Sequence, residues 1–315
     1  MSAAAVLTAE TDREAWLEAR RSVITATDIA AILGLHPYRT PREVYLDKMG
    51  LLPDVPENEP MYWGTALESP IAQRFAFSRG VVPEKAGFTR HPDYSHFGAT
   101  PDFLIGKDAL LEVKTAGINA GRNFGEAGSD FVPDQYLCQV MWQMFVTGRK
   151  KGFLAVLIAG QDYREYDIPY SEEMVRRMVF HASKFWGEYI EAETPPPISG
   201  AEPDTERLRS QHPLDDGSMI AASPEMEDIA AELGNLLEAQ SNLDLEVEKR
   251  KNQLREFMGD AQVMTSIHGN FTWKTGETLG VDWKAVTKEA PDLVAKHRTR
   301  PPVRTFRTPF KSQKA

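Results

Sequence analysis

The stretch whose reading decides the fold is Gly98-Ala99-Thr100-Pro101-Asp102-Phe103-Leu104-Ile105-Gly106-Lys107-Asp108-Ala109-Leu110-Leu111-Glu112-Val113-Lys114. Two apolar runs, Phe103-Leu104-Ile105 and Ala109 to Lys114, flank Gly106-Lys107-Asp108, and runs joined by a three-residue turn read as a β-hairpin. Pairing Ile105 with Ala109 sets Leu104 opposite Leu110, Phe103 opposite Leu111 and Asp102 opposite Glu112. Opposed Cβ atoms lie about 5 Å apart. Lys114, two residues past Glu112, shares its face, whereas Val113 points the other way, into the core. The pattern thus brings two carboxylates and one ammonium to a strand end. Carboxylates that close repel each other, and a divalent cation relieves the repulsion. Oxygen-only ligation suits Mg²⁺ or Mn²⁺ rather than Zn²⁺. A lysine beside such an ion can orient a water or steady the charge on a phosphate, the apparatus of metal-assisted phosphodiester hydrolysis. The same residues also fit a plain hairpin with a cross-strand Asp–Lys or Glu–Lys ion pair.

Neighbouring segments offer further groups. Met61 to Phe75 reads as a helix carrying Glu68, a candidate third carboxylate, with Pro70 expected to kink or restart it. Pro133 to Phe145, running on to Gly148, reads as another helix. Tyr136, Gln139 and Gln143 share one of its faces, and Leu137, Val140, Met141 and Met144 form the buried side. A glutamine can hold a metal-bound water or a phosphate, or it can be an ordinary surface residue. Trp16 to Gly34 contains a short helix with Thr27 near its N-cap and Gly34 past its end. Hydroxyls at a helix start with Arg20 nearby suit a phosphate, although capping alone accounts for Thr27 equally well.

The chain of 315 residues is 42% apolar, enough for a packed core, and 36 basic against 46 acidic side chains leave a net charge of −10. That sign is unlike a protein that coats nucleic acid, yet it leaves room for a local basic channel. The single cysteine, Cys138, excludes an intrachain disulfide framework and a Cys-rich zinc or iron–sulfur site. The first residues have neither a basic nor an apolar secretory segment, and no run of 18 apolar residues occurs, so a cytoplasmic protein without a membrane span is expected. Residues 1–200 carry mixed helix and strand patterns and end at the prolines 195 to 197. Residues 201–222 read as a linker and 223–315 as an accessory block. That block opens with a long helix from the Ser223 cap to the Gly259 stop. Its apolar seam is Ile229, Leu233, Leu236, Leu243, Val247, Leu254 and Phe257. A hairpin about a Gly269-Asn270 turn follows. The basic tail of Arg298, Arg300, Arg304, Arg307, Lys311 and Lys314 is a candidate arm for phosphates or an acidic partner, or a solvated end.

Taken together, Arg20…Ile24-Thr25-Ala26-Thr27, Trp63-Gly64…Glu68, Pro101-Asp102, Leu111-Glu112-Val113-Lys114 and Tyr136…Gln139-Val140…Met144 resemble the phage lambda exonuclease family. Its members are also called YqaJ-type viral recombinases, within the PD-(D/E)XK nuclease superfamily. The resemblance covers about residues 14–190. It implies an α/β fold with a mixed central sheet flanked by helices. It further implies a Mg²⁺-dependent 5′→3′ exonuclease on double-stranded DNA ends, with Mn²⁺ as a substitute. Such an enzyme releases 5′ mononucleotides and leaves 3′ overhangs for a single-strand annealing protein encoded beside it in a phage or prophage. Asp102, Glu112 and the Val113 backbone carbonyl would bind the metal. Lys114 would position the water, Glu68 would assist and Gln139 would complete the site. Arg20, Thr27, Thr100 and Arg122 would contact DNA and its 5′-phosphate, and a homotrimeric ring would enclose the duplex. An endonuclease of the same fold and a non-catalytic DNA-end scaffold are the alternatives. The intact Asp102, Glu112 and Lys114 argue against the scaffold.

Overall fold

A computed structural model describes residues 13–52, 58–276, 280–297, 305–306 and 308–309. The chain divides into two compact units, Met1–Leu208 and Arg209–Ala315. The first is built on helices α1 (Arg13–Arg21), α2 (Ala26–Ile32), α3 (Pro41–Lys48) and α4 (Glu59–Arg79), then strands β1 (Pro83–Lys85), β2 (Thr89–Arg90), β3 (Gly98–Ala99), β4 (Phe103–Ile105) and β5 (Ala109–Ala116). After these come α5 (Ile118–Gly121), α6 (Asp134–Thr147), β6 (Lys151–Ile158), β7 (Asp162–Pro169), α7 (Glu172–Phe185) with a π-helical turn at Trp186–Ile190, and α8 (Glu202–Gln211).

The central sheet has the order β1-β4-β5-β6-β7, with β5 and β6 parallel and the other pairs antiparallel. The hairpin has the expected register: Phe103 lies opposite Leu111, Leu104 opposite Leu110 and Ile105 opposite Ala109. Gly106, at φ +53°, supplies the left-handed residue of its turn. Side chains alternate between the two faces. Leu110, Leu154 and Val156 pack with α2, α6 and α7, whereas Leu111, Val113 and Ala155 pack with Ile71, Ala72 and Phe75 of α4. Gly152 lets α6 close on β6, since a Cβ there would sit 2.4 Å from Val140 Cγ1. The mixed sheet between helices is the fold class that the sequence patterns and the resemblance imply.

Three local expectations in this unit differ from the structure. The helix α4 continues through Pro70 without restarting. The residues just past the proline, Ile71, Ala72 and Phe75, are buried against the sheet, and that burial offsets a lost hydrogen bond costing about 3 kcal/mol. The helix expected near Thr27 begins one residue after Thr25, whose backbone is extended and whose N–H donates to the Asp28 carboxylate at 2.8 Å. The stretch read as a linker opens with α8. Asp204, fully buried, accepts from the N–H of Ser199 at 2.8 Å, from its hydroxyl at 2.7 Å and from the Thr40 hydroxyl at 3.2 Å.

In the second unit α9 (Pro224–Met258) has the expected cap, Ser223, whose hydroxyl accepts from the Met226 N–H, and the expected stop at Gly259. Ile229, Leu236, Leu243, Val247 and Phe257 of its seam are exposed. Strands β8 (Val263–Ser266) and β9 (Gly269–Thr272) form the hairpin, but Ser266 pairs with Gly269, so Ile267-His268 is the loop rather than Gly269-Asn270. Ser266 closes it: its hydroxyl accepts from the His268 N–H and donates to the Gly269 carbonyl. Short helices α10 (Trp283–Glu289) and α11 (Pro291–His297) follow. The basic tail lies outside the described residues.

Candidate active site

The hairpin delivers its charged residues to one cavity of about 330 Å³, lined by Glu68, Asp102, Glu112, Lys114, Gln139 and Gln143 and also by Arg20, Thr25, Thr27 and Thr100. Glu112 is 1% exposed. Burial of a carboxylate is tolerated when its oxygens are satisfied. Here Oε1 accepts from Gln139 Nε2 and from Lys114 Nζ at 2.5 Å, and Oε2 accepts from Gln143 Nε2 at 2.7 Å. The two glutamines lie one helical turn apart on α6, so one face presents both amides to one carboxylate. The Lys114 ammonium also sits 5.6 Å from the ring centre of Tyr136, one turn before Gln139. Asp102 precedes β4, and its Oδ2 accepts from the Val113 N–H at 2.7 Å.

Burial and neighbouring charge act on both Asp102 and Lys114. Burial and the nearby Glu112 charge push the Asp102 pKa well above 3.8, against an opposing pull from Lys114. Burial disfavours the Lys114 ammonium, but Glu112 and Asp102 outweigh it and hold that pKa above its ordinary value. Such a cluster has surplus negative charge that a cation would relieve. Among the described residues no three His, Cys, Asp or Glu side chains converge into a ready-made metal cage. The donor set still fits Mg²⁺, which keeps several waters and takes one or two carboxylates besides substrate phosphates.

The α1–α2 junction supplies the cavity with a guanidinium and two hydroxyls. Arg20 Nη2 donates to Thr27 Oγ1 at 3.3 Å, and its guanidinium lies 4.5 Å over the Trp16 ring. Among the described residues no carboxylate is within ion-pair distance of Arg20; burial lowers its pKa. Thr100 lines the same cavity. Glu68 does too, and it is paired with Lys85 of β1. Arg122 does not join the others. It caps α5, exposed, because Gly121 beside it packs on Ile158 of β6 and turns the next residue outward. Residues that sequence reasoning left without a role are Gln143 and Lys85. The spacing of Gln139 and Gln143 carried a signal for the first, whereas nothing local marks Lys85.

The fold and site together define a class: a mixed-sheet domain with two acids and a lysine at a strand end, in a cavity that Arg20, Thr25 and Thr27 also line. Residues 15–150 match the family model of the YqaJ-like viral recombinase domain. The whole chain is similar to the uncharacterized protein YqaJ of Bacillus subtilis, at 28% identity over 306 residues covering 94% of each. An uncharacterized protein of Acanthamoeba polyphaga mimivirus is 31% identical over 144 residues, 42% of this chain and 26% of that one. Among solved structures, an alkaline exonuclease from Laribacter hongkongensis aligns at 22% identity with a TM-score of 0.48, covering 64% of this chain and 100% of that one. No described helix is long and apolar enough to cross a membrane.

Proposed function

We propose that the protein is a Mg²⁺-dependent deoxyribonuclease that degrades double-stranded DNA from a 5′ end, releases 5′ mononucleotides and leaves a 3′ overhang for strand annealing. The observation that carries this reading is the single cavity in which Asp102, Glu112 and Lys114 face Arg20 and Thr27. Asp102 and Glu112 would hold the ion. A residue in a strand directs its N–H and C=O to the same edge; with the Val113 N–H taken by Asp102, its carbonyl faces the same side, past the end of β4, and can add a third oxygen. A bound Mg²⁺ would polarise the scissile phosphate and acidify a water. Lys114 supplies positive charge to the phosphate oxygens, while Gln139 and Gln143 keep Glu112 from turning away. Arg20 and Thr27 would take the terminal 5′-phosphate, with Thr100 as a further contact, and Glu68 would assist at the ion. Arg122 would reach DNA only beyond this cavity. A homotrimeric ring with a locally basic channel would reconcile DNA binding with the net charge of −10, and an annealing protein would receive the overhang.

The test is digestion of linear duplex labelled at either 5′ or 3′ ends, with Mg²⁺ or EDTA, beside a closed circle. Early Mg²⁺-dependent release of 5′ label as mononucleotide, with the circle intact, is expected. Nicking or cutting of the circle would replace the exonuclease with an endonuclease. End binding without any cleavage would favour the scaffold.

A further inference from the structure

Beneath the anion side of the cavity lies a buried charge cluster that the chemistry above does not use. Asp28 is fully buried and forms ion pairs with Arg39 at 2.7 Å and with Lys48 at 2.5 Å; the Lys48 side chain is 1% exposed. Arg39 also pairs with Asp47 at 2.7 Å. Two acids and two bases cancel, so the cluster is neutral and leaves the Arg20 charge uncompensated. Burying that many charges is costly and seldom stabilises a fold relative to apolar packing, so its position calls for another explanation.

The cluster grips the anion pocket at two points. Lys48 Nζ donates to the main-chain carbonyl of Arg20 at 3.0 Å. Asp28 Oδ2 accepts from the Thr25 hydroxyl at 2.6 Å. The Thr25 and Thr27 hydroxyls are 3.1 Å apart, and Thr27 accepts from Arg20. An ionised carboxylate only accepts. Asp28 therefore sets the direction of the whole chain: Arg20 N–H to Thr27, Thr27 O–H to Thr25, Thr25 O–H to Asp28. We propose that Asp28 and Lys48, with Arg39 holding Asp28, are positioning residues that orient Arg20 and Thr27 for a terminal phosphate and so set the enzyme's preference for phosphorylated 5′ ends. This rests on the 5′-end exonuclease reading. The cluster touches no reacting atom; it fixes the backbone of Arg20 and the hydroxyl pair from behind, where a small displacement would misdirect a guanidinium that must meet phosphate oxygens in a fixed fork.

The experiment compares digestion of otherwise identical duplexes with 5′-phosphoryl and 5′-hydroxyl ends, as kcat and KM, for wild type, Arg20→Ala, Lys48→Met, Lys48→Arg, Thr25→Ala and Thr25→Ser. Lys48→Met is expected to cut the phosphoryl-over-hydroxyl preference by about tenfold, an effect of ~1.4 kcal/mol, mainly through KM on phosphoryl ends. Lys48→Arg should restore part of it. Thr25→Ala breaks the hydroxyl chain but leaves the ion pairs, so it keeps the test valid if Lys48→Met does not fold; Thr25→Ser should restore the preference. A merely structural cluster would lower both substrates together. An unchanged ratio in folded Lys48→Met or Thr25→Ala would overturn the proposal, provided that Arg20→Ala lowers it. If the wild type shows no preference, or Arg20→Ala leaves it intact, the phosphate reading itself has failed and the positioning role falls with it.

Discussion

Asp102 and Glu112 share a strand end yet meet different fates, because their partners differ. Glu112 accepts from three donors, whereas Asp102 has the Val113 N–H and its neighbour's negative charge. A carboxyl whose pKa is raised on folding stabilises the fold fully below its ordinary value, about 3.9, and that contribution is lost as pH rises through the folded value. The metal-free protein should therefore lose melting temperature from about pH 4 upward on account of Asp102. Asp102→Asn, which still accepts from Val113, should remove that decline, raise the metal-free Tm at neutral pH and abolish any Mg²⁺-induced rise in Tm. Thermal melts across pH, with and without Mg²⁺, check all three, and an unchanged Mg²⁺ effect would exclude Asp102 as a ligand. Lys114→Ala should abolish cleavage and leave binding of duplex ends measurable by gel shift; wild-type rates from that variant would remove it from the chemistry. Asp102, Glu112 and Lys114 were legible in the sequence because strand periodicity and one turn length place them, whereas Glu68 was only a candidate on a neighbouring helix. The partners of Glu112 were legible only in part: the spacing on α6 shows that Gln139 and Gln143 share a face, but not what that face meets.

Elements are held to the site by close approaches that small residues permit. The α6 helix meets β6 where Gly152 has no side chain, and that contact sets how far Gln139 and Gln143 stand from Glu112 on the adjacent strand. A methyl group there collides with Val140, whose χ1 is stiff. Gly152→Ala is expected to cost about 1–3 kcal/mol by overpacking and to lower kcat more than it raises KM, because α6 carries the amides that hold Glu112. Denaturant unfolding and steady-state kinetics read both effects; unchanged kcat would show that the site tolerates the displacement. At this scale the helix ends with strong caps, Ser223 and Gly259, were readable, since capping is local chemistry. The continuity of α4 through Pro70 and the hairpin loop at Ile267-His268 were not, since burial of Ile71 and Phe75 and the closing bonds of Ser266 outweighed the local turn and breaker signals.

At the scale of the whole molecule, the first unit extends past the prolines 195 to 197. Asp204 ties α8 to Thr40, 164 residues earlier in the chain, and to Ser199. A chain ended at residue 200 would leave Thr40 without this buried partner, whereas one ended at 212 would keep it. The shorter chain should therefore melt lower than the longer. Equal melting temperatures for the two truncated chains would show that α8 is dispensable to the first unit. Net charge belongs to this scale too: at −10 the molecule as a whole would repel DNA, so the proposed DNA binding requires a locally positive surface that salt would screen.

By itself the sequence determined the hairpin register, the face shared by Glu112 and Lys114, the caps of α9 and the resemblance later matched by the YqaJ-like domain. The first three depend on residues within one turn or strand of one another, where backbone geometry leaves little choice, and the resemblance depends on the order and spacing of short motifs along the chain. Only the tertiary structure decided that Gln139 and Gln143 converge on Glu112, that Arg20 and Thr27 face the same cavity across the fold, that Arg122 stays outside it, and that Asp28, Arg39 and Lys48 sit together behind Arg20. Those placements come from packing helices on both faces of one sheet, which brings distant segments into contact through buried surface and paired charge, and no local periodicity encodes them.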